Sequence, residues 1–204
     1  MRAEDGKPRG TPDEVRKTNS AGHAVLSTTI EIMDDHDKIL PRGEVGEIVI
    51  SGPRVMPNYW NKPKASADAL RGGWYRTGDL GYFDGERNIY VVDRKKDMII
   101  SGGENVYSVE VENILTTHPA VLECAVIGIP HETWGEMVHA VVVRRDQHAL
   151  TGEELLAFCR GKIAGYKIPK SVSFSSEQLP KTGPGKIAKR RLRDTFWQGR
   201  DTKV

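Results

Sequence analysis

Hydrophobic and polar positions alternate over short stretches in the first half of the chain. Ile30 and Ile32 alternate with Thr29 and Glu31, and a period of two is typical of a half-buried β-strand. Three stretches have this alternation or a β-branched apolar run, and each is predicted to be a strand: residues 24–33, 46–51 and 89–92. Glycine- and proline-containing turns separate them. A mainly-β subdomain is therefore predicted over residues 24–92.

Helical spacing joins the strands from residue 93 onward. Thr151 and Glu154 have the spacing of a capping box, and Ser108 is a candidate cap for another helix. The predicted elements are strands at 98–101, 124–127, 138–143 and 171–174 and a basic final helix at 187–196, with 124–127 and 138–143 paired centrally and 171–174 at an edge. An α+β lid domain is therefore predicted over residues 93–204, and the fold class is α+β. Residues 1–23 are polar without a period and are expected to be a disordered lead-in.

Composition narrows the functional classes. The chain has 204 residues, 30 basic and 28 acidic, with a net charge of +2, which argues against extensive contact with nucleic-acid phosphates. No apolar run approaches the roughly 20 residues that span a bilayer, and no secretion signal opens the chain, so no integral membrane segment is expected and a cytoplasmic location is predicted. Cys124 and Cys159 lack metal-binding spacing, and we expect buried, reduced thiols and no metal site.

A loop rich in glycine and proline carries a lysine near the end of the chain. Residues 179–187 read LPKTGPGKI, and we call them the lysine loop. Glycines on either side of Pro184 widen the range of backbone conformations, so a mobile loop is expected that can bring Lys186 to a phosphate. Such turns are also common on surfaces, and a plain turn before a solvated basic helix is the alternative.

Two further motifs give the lysine loop a context. Residues 74–79 read WYRTGD and residues 93–107 read DRKKDMIISGGENVY. With the lysine loop they resemble, in the same order, the adenylate-forming superfamily of acyl-CoA synthetases, luciferases and peptide-synthetase adenylation domains. The GGENVY stretch and residues 57–61 (PNYWN) are most similar to fatty-acyl-CoA ligases. The resemblance implies an enzyme of fatty acid metabolism with ATP and CoA as substrates, which adenylates a fatty acid and then forms its CoA thioester.

The resemblance assigns three charged residues to the chemistry. Asp79 matches the aspartate that holds the two ribose hydroxyls, since a carboxylate offers two acceptors to adjacent donors. Arg94 matches the arginine that reaches the ribose and phosphate region, a role suited to a planar fork of donors. Lys186 matches the catalytic lysine of adenylation, which meets the negative charge on the carboxylate and α-phosphate oxygens.

The resemblance also implies a domain movement and a CoA contact. Asp93 matches the hinge about which the lid turns between the two half-reactions. Gly102 and Gly103 match the loop that lies against the pantetheine arm of CoA, where the lack of a β-carbon permits close passage. A strand-to-helix turn is the alternative for the two glycines. Lys95 and Lys96 are expected to be solvated.

Other motifs of the family have no counterpart in this sequence. The Ser/Thr/Gly-rich phosphate loop and the Tyr-Gly-x-Thr-Glu segment are absent, so the ligand of Mg²⁺ and the acyl pocket are expected outside this chain. We therefore expect the C-terminal portion of a fatty-acid:CoA ligase, inactive alone, with an N-terminal adenylation domain as its missing partner. Two alternatives stay open: a stand-alone, non-catalytic module with the lid fold, and an adenylation enzyme whose acceptor is a carrier protein.

Overall fold

The chain folds into two compact units, one ending at Lys95 and the other beginning at Lys96. The structure is a computed structural model, and it describes residues 19–145 and 149–198. The described part of each unit contains a five-stranded sheet and at least one helix. The predicted α+β fold class is confirmed.

Over its described residues, the first unit is an antiparallel sheet with one short helix. Its elements are β1 (Thr29–Met33), β2 (Gly46–Ser51), α1 (Pro63–Ala69), β3 (Leu70–Arg71), β4 (Trp74–Phe83) and β5 (Ile89–Arg94). The strand order is β1-β2-β4-β3, and β5 pairs with β4. Apolar side chains of β1, β2, β4 and β5 form its core: Ile32, Ile48, Phe83 and Ile89. The predicted strands at 46–51 and 89–92 are confirmed, and the one predicted at 24–33 forms only over Thr29–Met33.

Two elements of this unit, β4 and α1, are not predicted by the pattern of hydrophobic positions. The β4 strand contains glycines and polar residues, and α1 has small side chains and no apolar stripe. Pro63 opens α1, and the Ser66 hydroxyl bonds the Lys62 carbonyl at 2.8 Å. Order also begins before residue 24, because the Ala21 N–H bonds the Ile89 carbonyl at 2.7 Å. The remainder of the predicted disordered lead-in, up to residue 18, lies outside the described residues.

The second unit is built around a long β-hairpin. Its elements are β6 (Ile99–Ser101), β7 (Glu104–Val106), α2 (Ser108–Leu115), β8 (Val121–His131), β9 (Gly135–Arg144), α3 (Gly152–Cys159), a 3₁₀ turn (Gly165–Lys167), β10 (Ser171–Ser175) and α4 (Lys189–Phe196). The β8 and β9 strands pair antiparallel, and β10 lies parallel to β9 at the sheet edge. The predicted pairing of these two strands and the predicted edge strand are confirmed, but the central position predicted for both strands is wrong for β8, which pairs with β9 alone among the described strands.

The core of this unit contains the two cysteines. Cys124 and Cys159 are free and buried among aliphatic side chains of the sheet and helices. Burial raises the pKa of the Cys124 thiol to about 12, so it stays protonated at neutral pH. The prediction of buried, reduced thiols is confirmed.

The helix ends test the capping predictions. Thr151 and Glu154 form the predicted capping box at the start of α3. The prediction for Ser108 is wrong, because the cap position of α2 is Tyr107 and Ser108 is the first helical residue. The buried Ser108 hydroxyl instead accepts a hydrogen bond from Lys189 Nζ at 2.7 Å. The final helix begins at Lys189, because Ile187 pairs with Lys181 in a short β-bridge.

A buried histidine joins β9, β10 and α4. His139 Nδ1 lies 2.7 Å from Ser171 Oγ, and Nε2 lies 2.9 Å from Ser173 Oγ. The ring packs against Phe196, with 4.9 Å between ring centroids. Burial lowers the pKa of His139 to about 4, because the charged form is poorly solvated there. The folded unit therefore holds a neutral histidine at physiological pH.

This histidine predicts a pH dependence of stability. An unfolded chain binds a proton at His139 below about pH 6.5, whereas the folded chain does so only near pH 4. The free energy of unfolding is therefore unaffected by this group above about pH 6.5, and it falls by about 3 kcal/mol as the pH is lowered toward 4. Urea denaturation at pH 7 and pH 4.5 should show this loss in the wild type and in the exposed control His23→Asn. The loss should be smaller in His139→Asn, and equal losses in all three proteins would refute the assignment.

Candidate functional site

The turn that carries Asp79 is fixed by hydrogen bonds inside the first unit. Gly78 has φ +74°, in the left-handed region that favours glycine. Thr77 Oγ1 donates to the Ile48 carbonyl at 2.7 Å and accepts the Asp79 N–H at 3.1 Å. The position of Asp79 on β4 is therefore set by its own motif.

Asp79 and Arg94 are neighbours across β4 and β5. They are direct partners in the strand register, and Arg94 Nε lies 3.6 Å from Asp79 Oδ1. The side chains keep 43% of the Asp79 surface and 50% of the Arg94 surface exposed. An ion pair this exposed contributes little to stability, so a ligand can replace it at small cost. The fold thus brings together two of the predicted site residues.

A buried carboxylate beneath this turn was not predicted from the sequence. Glu47 Oε1 accepts the Gly78 N–H at 3.1 Å, and Oε2 lies 3.0 Å from Lys95 Nζ and 3.5 Å from Arg76 Nη1. Glu47 is only 6% exposed, and a lone acidic residue in the apolar strand GEIVIS is the one signal that could have indicated it. Glu47 therefore stabilises the turn through its hydrogen bond with the Gly78 N–H.

Lys95 is bound rather than free in solvent. Its Nζ also lies 2.6 Å from Asp35 Oδ1, in addition to its contact with Glu47. Burial alone would lower the pKa of Lys95, but the hydrogen bonds to Asp35 and Glu47 outweigh it, and the pKa is raised. The expectation of a solvated Lys95 is therefore wrong.

Asp93 lies inside β5 rather than in a loop. It is 5% exposed and pairs with Leu80 next to a register shift of the β4–β5 ladder. Its Oδ1 accepts the Arg94 N–H at 2.7 Å. The division between the two units follows at Lys95 and Lys96. A hinge role of Asp93 stays a prediction.

Gly102 and Gly103 form the tip of a hairpin. They join β6 to β7 as a two-residue turn with φ +60° and +86°, values of a type I′ turn, in which both residues need positive φ. A β-carbon at Gly102 would lie 3.6 Å from Trp134 Cδ1, whereas one at Gly103 would meet nothing. The alternative of a strand-to-helix turn is replaced by this β6–β7 hairpin, which we call the glycine hairpin.

The lysine loop is ordered by its own backbone. The Thr182 N–H bonds the Lys186 carbonyl at 2.7 Å, and the Gly185 N–H bonds the Thr182 carbonyl at 2.8 Å. Lys186 is exposed, and its ammonium makes no ion pair with the described residues. The exposed position agrees with a lysine available to an anion. The loop contains a hydrogen-bonded turn, and its mobility stays a prediction.

The described part of the chain has neither a cluster of metal ligands nor a membrane-spanning helix. Residues 19–145 and 149–198 contain no group of three His, Cys, Asp or Glu side chains that fits a metal ion. Among the helices described, none has the length and apolar character needed to cross a bilayer.

Comparison with known proteins decides the family. Residues 8–60 match the family model of the AMP-binding enzyme, and residues 110–186 match that of the AMP-binding enzyme C-terminal domain. Over 180 residues, 88% of this chain, the sequence is 51% identical to feruloyl-CoA synthase of an Amycolatopsis species. The chain belongs to the AMP-binding enzyme family. The resemblance to adenylate-forming enzymes read from the three motifs is confirmed.

Further relatives of this AMP-binding chain differ in their named substrates. It is 45% identical to long-chain-fatty-acid–CoA ligase FadD13 of Mycobacterium tuberculosis over 90% of the chain. The crystal structure of ATP-bound MatB from Rhodopseudomonas palustris superposes with a TM-score of 0.82 at 37% identity, over 88% of the chain and 36% of MatB. The chain spans 36% of the length of feruloyl-CoA synthase and of FadD13. The two relatives are both named for joining an acid to CoA, and the acids differ.

Proposed function

We propose that this chain supplies the ribose-binding carboxylate and the adenylating lysine of an ATP-dependent carboxylic acid:CoA ligase. In that reaction the acid attacks the α-phosphate of ATP, pyrophosphate leaves, and the thiol of CoA then displaces AMP from the acyl-adenylate. The observation that carries the proposal is the pairing of Asp79 with Arg94 on neighbouring strands, half-exposed beside a fixed glycine turn.

Asp79 has the chemistry for a ribose. Its two carboxylate oxygens can accept hydrogen bonds from the adjacent 2′ and 3′ hydroxyls, and bonds to a charged acceptor are the stronger kind. Arg94 already directs its guanidinium to the same place, at 3.6 Å from Asp79 Oδ1. Its remaining donors are free to take a ribose or phosphate oxygen. The two side chains thus form one acceptor and one donor for a nucleotide.

Lys186 has the chemistry for adenylation. Its exposed ammonium lies on a turn fixed by the Thr182 and Gly185 amides. During attack, negative charge gathers on the oxygens of the carboxylate and the α-phosphate, and a positioned cation stabilises it by about 3 kcal/mol or more. A lysine whose backbone belongs to a hydrogen-bonded turn needs less ordering at that moment than a lysine on an unstructured segment.

The second half-reaction is assigned to the glycine hairpin and to a pivot near its start. The tip at Gly102 and Gly103 presents backbone without β-carbons, which lets a thin pantetheine chain pass close. We place the pivot between Asp93 and Lys96, because Asp93 is held in β5 and the division of the units follows it.

We further propose a fatty acid as the substrate. The resemblance of residues 57–61 and 102–107 to fatty-acyl-CoA ligases supports it, and so does FadD13 among the relatives. The similarity to feruloyl-CoA synthase supports an aromatic acid as the alternative substrate. Rates of thioester formation with palmitate and with ferulate, compared on a protein that joins this chain to its own acid-binding region, decide between the two.

The function is tested with the isolated chain and with a ligase chimera, in which this chain replaces the matching 36% of the Amycolatopsis feruloyl-CoA synthase. The isolated chain should give no ATP–pyrophosphate exchange, because the triphosphate-binding motifs are not in its sequence. The ligase chimera should form feruloyl-adenylate and then feruloyl-CoA. A folded chimera that forms neither product would favour a stand-alone module, and one that forms the adenylate but transfers it only to a carrier protein would favour the other acceptor.

A further inference from the structure

Two carboxylates near opposite ends of the β8–β9 hairpin bind backbone amides of other segments. Glu123 lies early in β8, and Glu136 lies early in β9, close to the connection between the strands. The Glu123 side chain is 17% exposed and Glu136 is 9% exposed. Neither has a place in the two half-reactions described above. The Glu123 carboxylate accepts a hydrogen bond from the lysine loop, and the Glu136 carboxylate accepts one from the glycine hairpin. These are the two segments proposed to act in the two half-reactions.

Glu123 holds the lysine loop at its start. Its Oε1 accepts the Leu179 N–H at 2.8 Å, and its Oε2 lies 3.3 Å from Lys181 Nζ. Leu179 is 3% exposed and packs with apolar side chains of β8 and β9, and Ile187 packs against the same cluster from the other end of the loop. The two ends of the loop therefore pack on the sheet, and residues 181–186 between them are exposed.

Glu136 holds the glycine hairpin in a similar way. Its Oε2 accepts the Ile100 N–H at 3.0 Å. The carboxylate lies over Gly128, where a β-carbon would come within 2.7 Å of Oε2. The Gly102 N–H also bonds the Trp134 carbonyl at 3.1 Å, just before Glu136 in the chain. The glycine turn is thus tied to the start of β9 by one side chain and one backbone bond.

We propose that Glu123 and Glu136 are positioning residues, each for one half-reaction, and this rests on the proposed function. Glu123 sets the place of Lys186 for adenylation, and Glu136 sets the place of Gly102 and Gly103 for thioester formation. A hydrogen bond from an amide to a charged carboxylate is stronger than a neutral one, and a misplacement of about 1 Å can cost on the order of 100-fold in rate. The β8–β9 hairpin is then a common rigid support for two segments that act at different times.

Hydrogen exchange of the chain itself tests the anchoring. Glu123→Ala should speed exchange of the Leu179, Thr182 and Gly185 amides by about tenfold or more and leave the Ile100 and Gly102 amides unchanged. Glu136→Ala should do the reverse. Glu132→Ala, which removes an exposed glutamate between the two strands of the same hairpin, should change neither set. Equal acceleration of both sets by either variant, or no acceleration, would overturn the proposal.

Milder variants separate positioning from a loss of fold. Glu123→Gln and Glu136→Gln keep an oxygen acceptor for the amide and should exchange within about threefold of the wild type. Gly128→Ala should displace the Glu136 carboxylate and reproduce the Glu136→Ala pattern. Glutamine variants as fast as the alanine variants would contradict the role of the amide bonds.

Single-turnover rates of the ligase chimera test the assignment to half-reactions. Glu123→Ala should slow adenylate formation about tenfold or more while transfer from a preformed adenylate to CoA stays within about twofold. Glu136→Ala should show the opposite split, and the glutamine variants should restore most of each rate. An active chimera whose variants lose both rates equally refutes the positioning roles. An inactive wild-type chimera refutes the proposed function, and hydrogen exchange then still decides the anchoring.

Discussion

Lys186→Ala in the ligase chimera is expected to slow feruloyl-adenylate formation by about 100-fold or more, since one positioned donor to developing oxyanion charge contributes about 3 kcal/mol. Transfer of a preformed feruloyl-adenylate to CoA should change by less than about threefold, because attack on the α-phosphate and departure of pyrophosphate are already complete in that substrate. The measurement is rapid-quench formation of each product in a single turnover.

The control for this prediction removes a cation from the helix that follows the lysine loop. Arg190 is 85% exposed on α4, where its Nε lies 3.8 Å from Asp194, and Arg190→Ala should leave both rates near the wild type. Equal losses in the two half-reactions of Lys186→Ala would contradict its role, and so would an equal loss in Arg190→Ala.

Asp79→Ala should have the second large effect, with a different signature. Both ATP and the acyl-adenylate carry the ribose, so loss of the acceptor for its two hydroxyls should slow both half-reactions. The value of kcat/KM for ATP should fall about 100-fold or more, since each of the two hydrogen bonds to the charged carboxylate contributes about 1.5–3 kcal/mol. Steady-state kinetics with varied ATP measures the first effect, and transfer of the preformed adenylate measures the second.

The stability of the Asp79 variant is expected to stay close to that of the wild type. Its pair with Arg94 is half-exposed, and such pairs contribute between about 0 and 1 kcal/mol. The matched control Asp68→Ala removes an exposed carboxylate from α1 and should leave kcat/KM unchanged. An Asp79→Ala enzyme with unaltered dependence on ATP would exclude the ribose contact.

The elements that the sequence predicts well are those whose burial follows their own pattern. The β-branched runs of β8 and β9 are apolar enough to be buried, paired strands, and Thr151 with Glu154 caps α3 through contacts three residues apart. The strand β4 fails this test, because its buried Arg76 depends on Glu47, which is 29 residues away. Ser108 reads as a cap in the sequence, but Lys189 binds its hydroxyl from 81 residues away.

In the candidate site, too, local motifs predict which residues take part, whereas contacts between distant residues are not predicted. Asp79, Arg94 and Lys186 come from the resemblance of whole motifs, whereas the contact between Asp79 and Arg94 comes only from the register of β4 and β5. Glu123 and Glu136 look like solvent-facing residues of alternating strands. Their partners are backbone amides 56 and 36 residues away, and no local pattern identifies such an acceptor.

The lysine loop shows that composition alone does not predict the backbone shape of a loop. Two glycines and a proline predict a pliable segment. In the structure Gly185 has φ +83° and is used to form a turn that the Thr182 and Gly185 amides close, and Leu179 fixes the loop to the core. Glycine here serves a particular backbone shape, which the sequence does not separate from flexibility.

The most direct measurement is ATP–pyrophosphate exchange by the ligase chimera with and without Lys186→Ala, beside thioester formation from preformed feruloyl-adenylate by the same two proteins. The account predicts exchange in the chimera, a loss of about 100-fold on substitution, and nearly equal thioester formation. Exchange that survives the substitution would contradict the claim that this chain supplies the adenylating lysine.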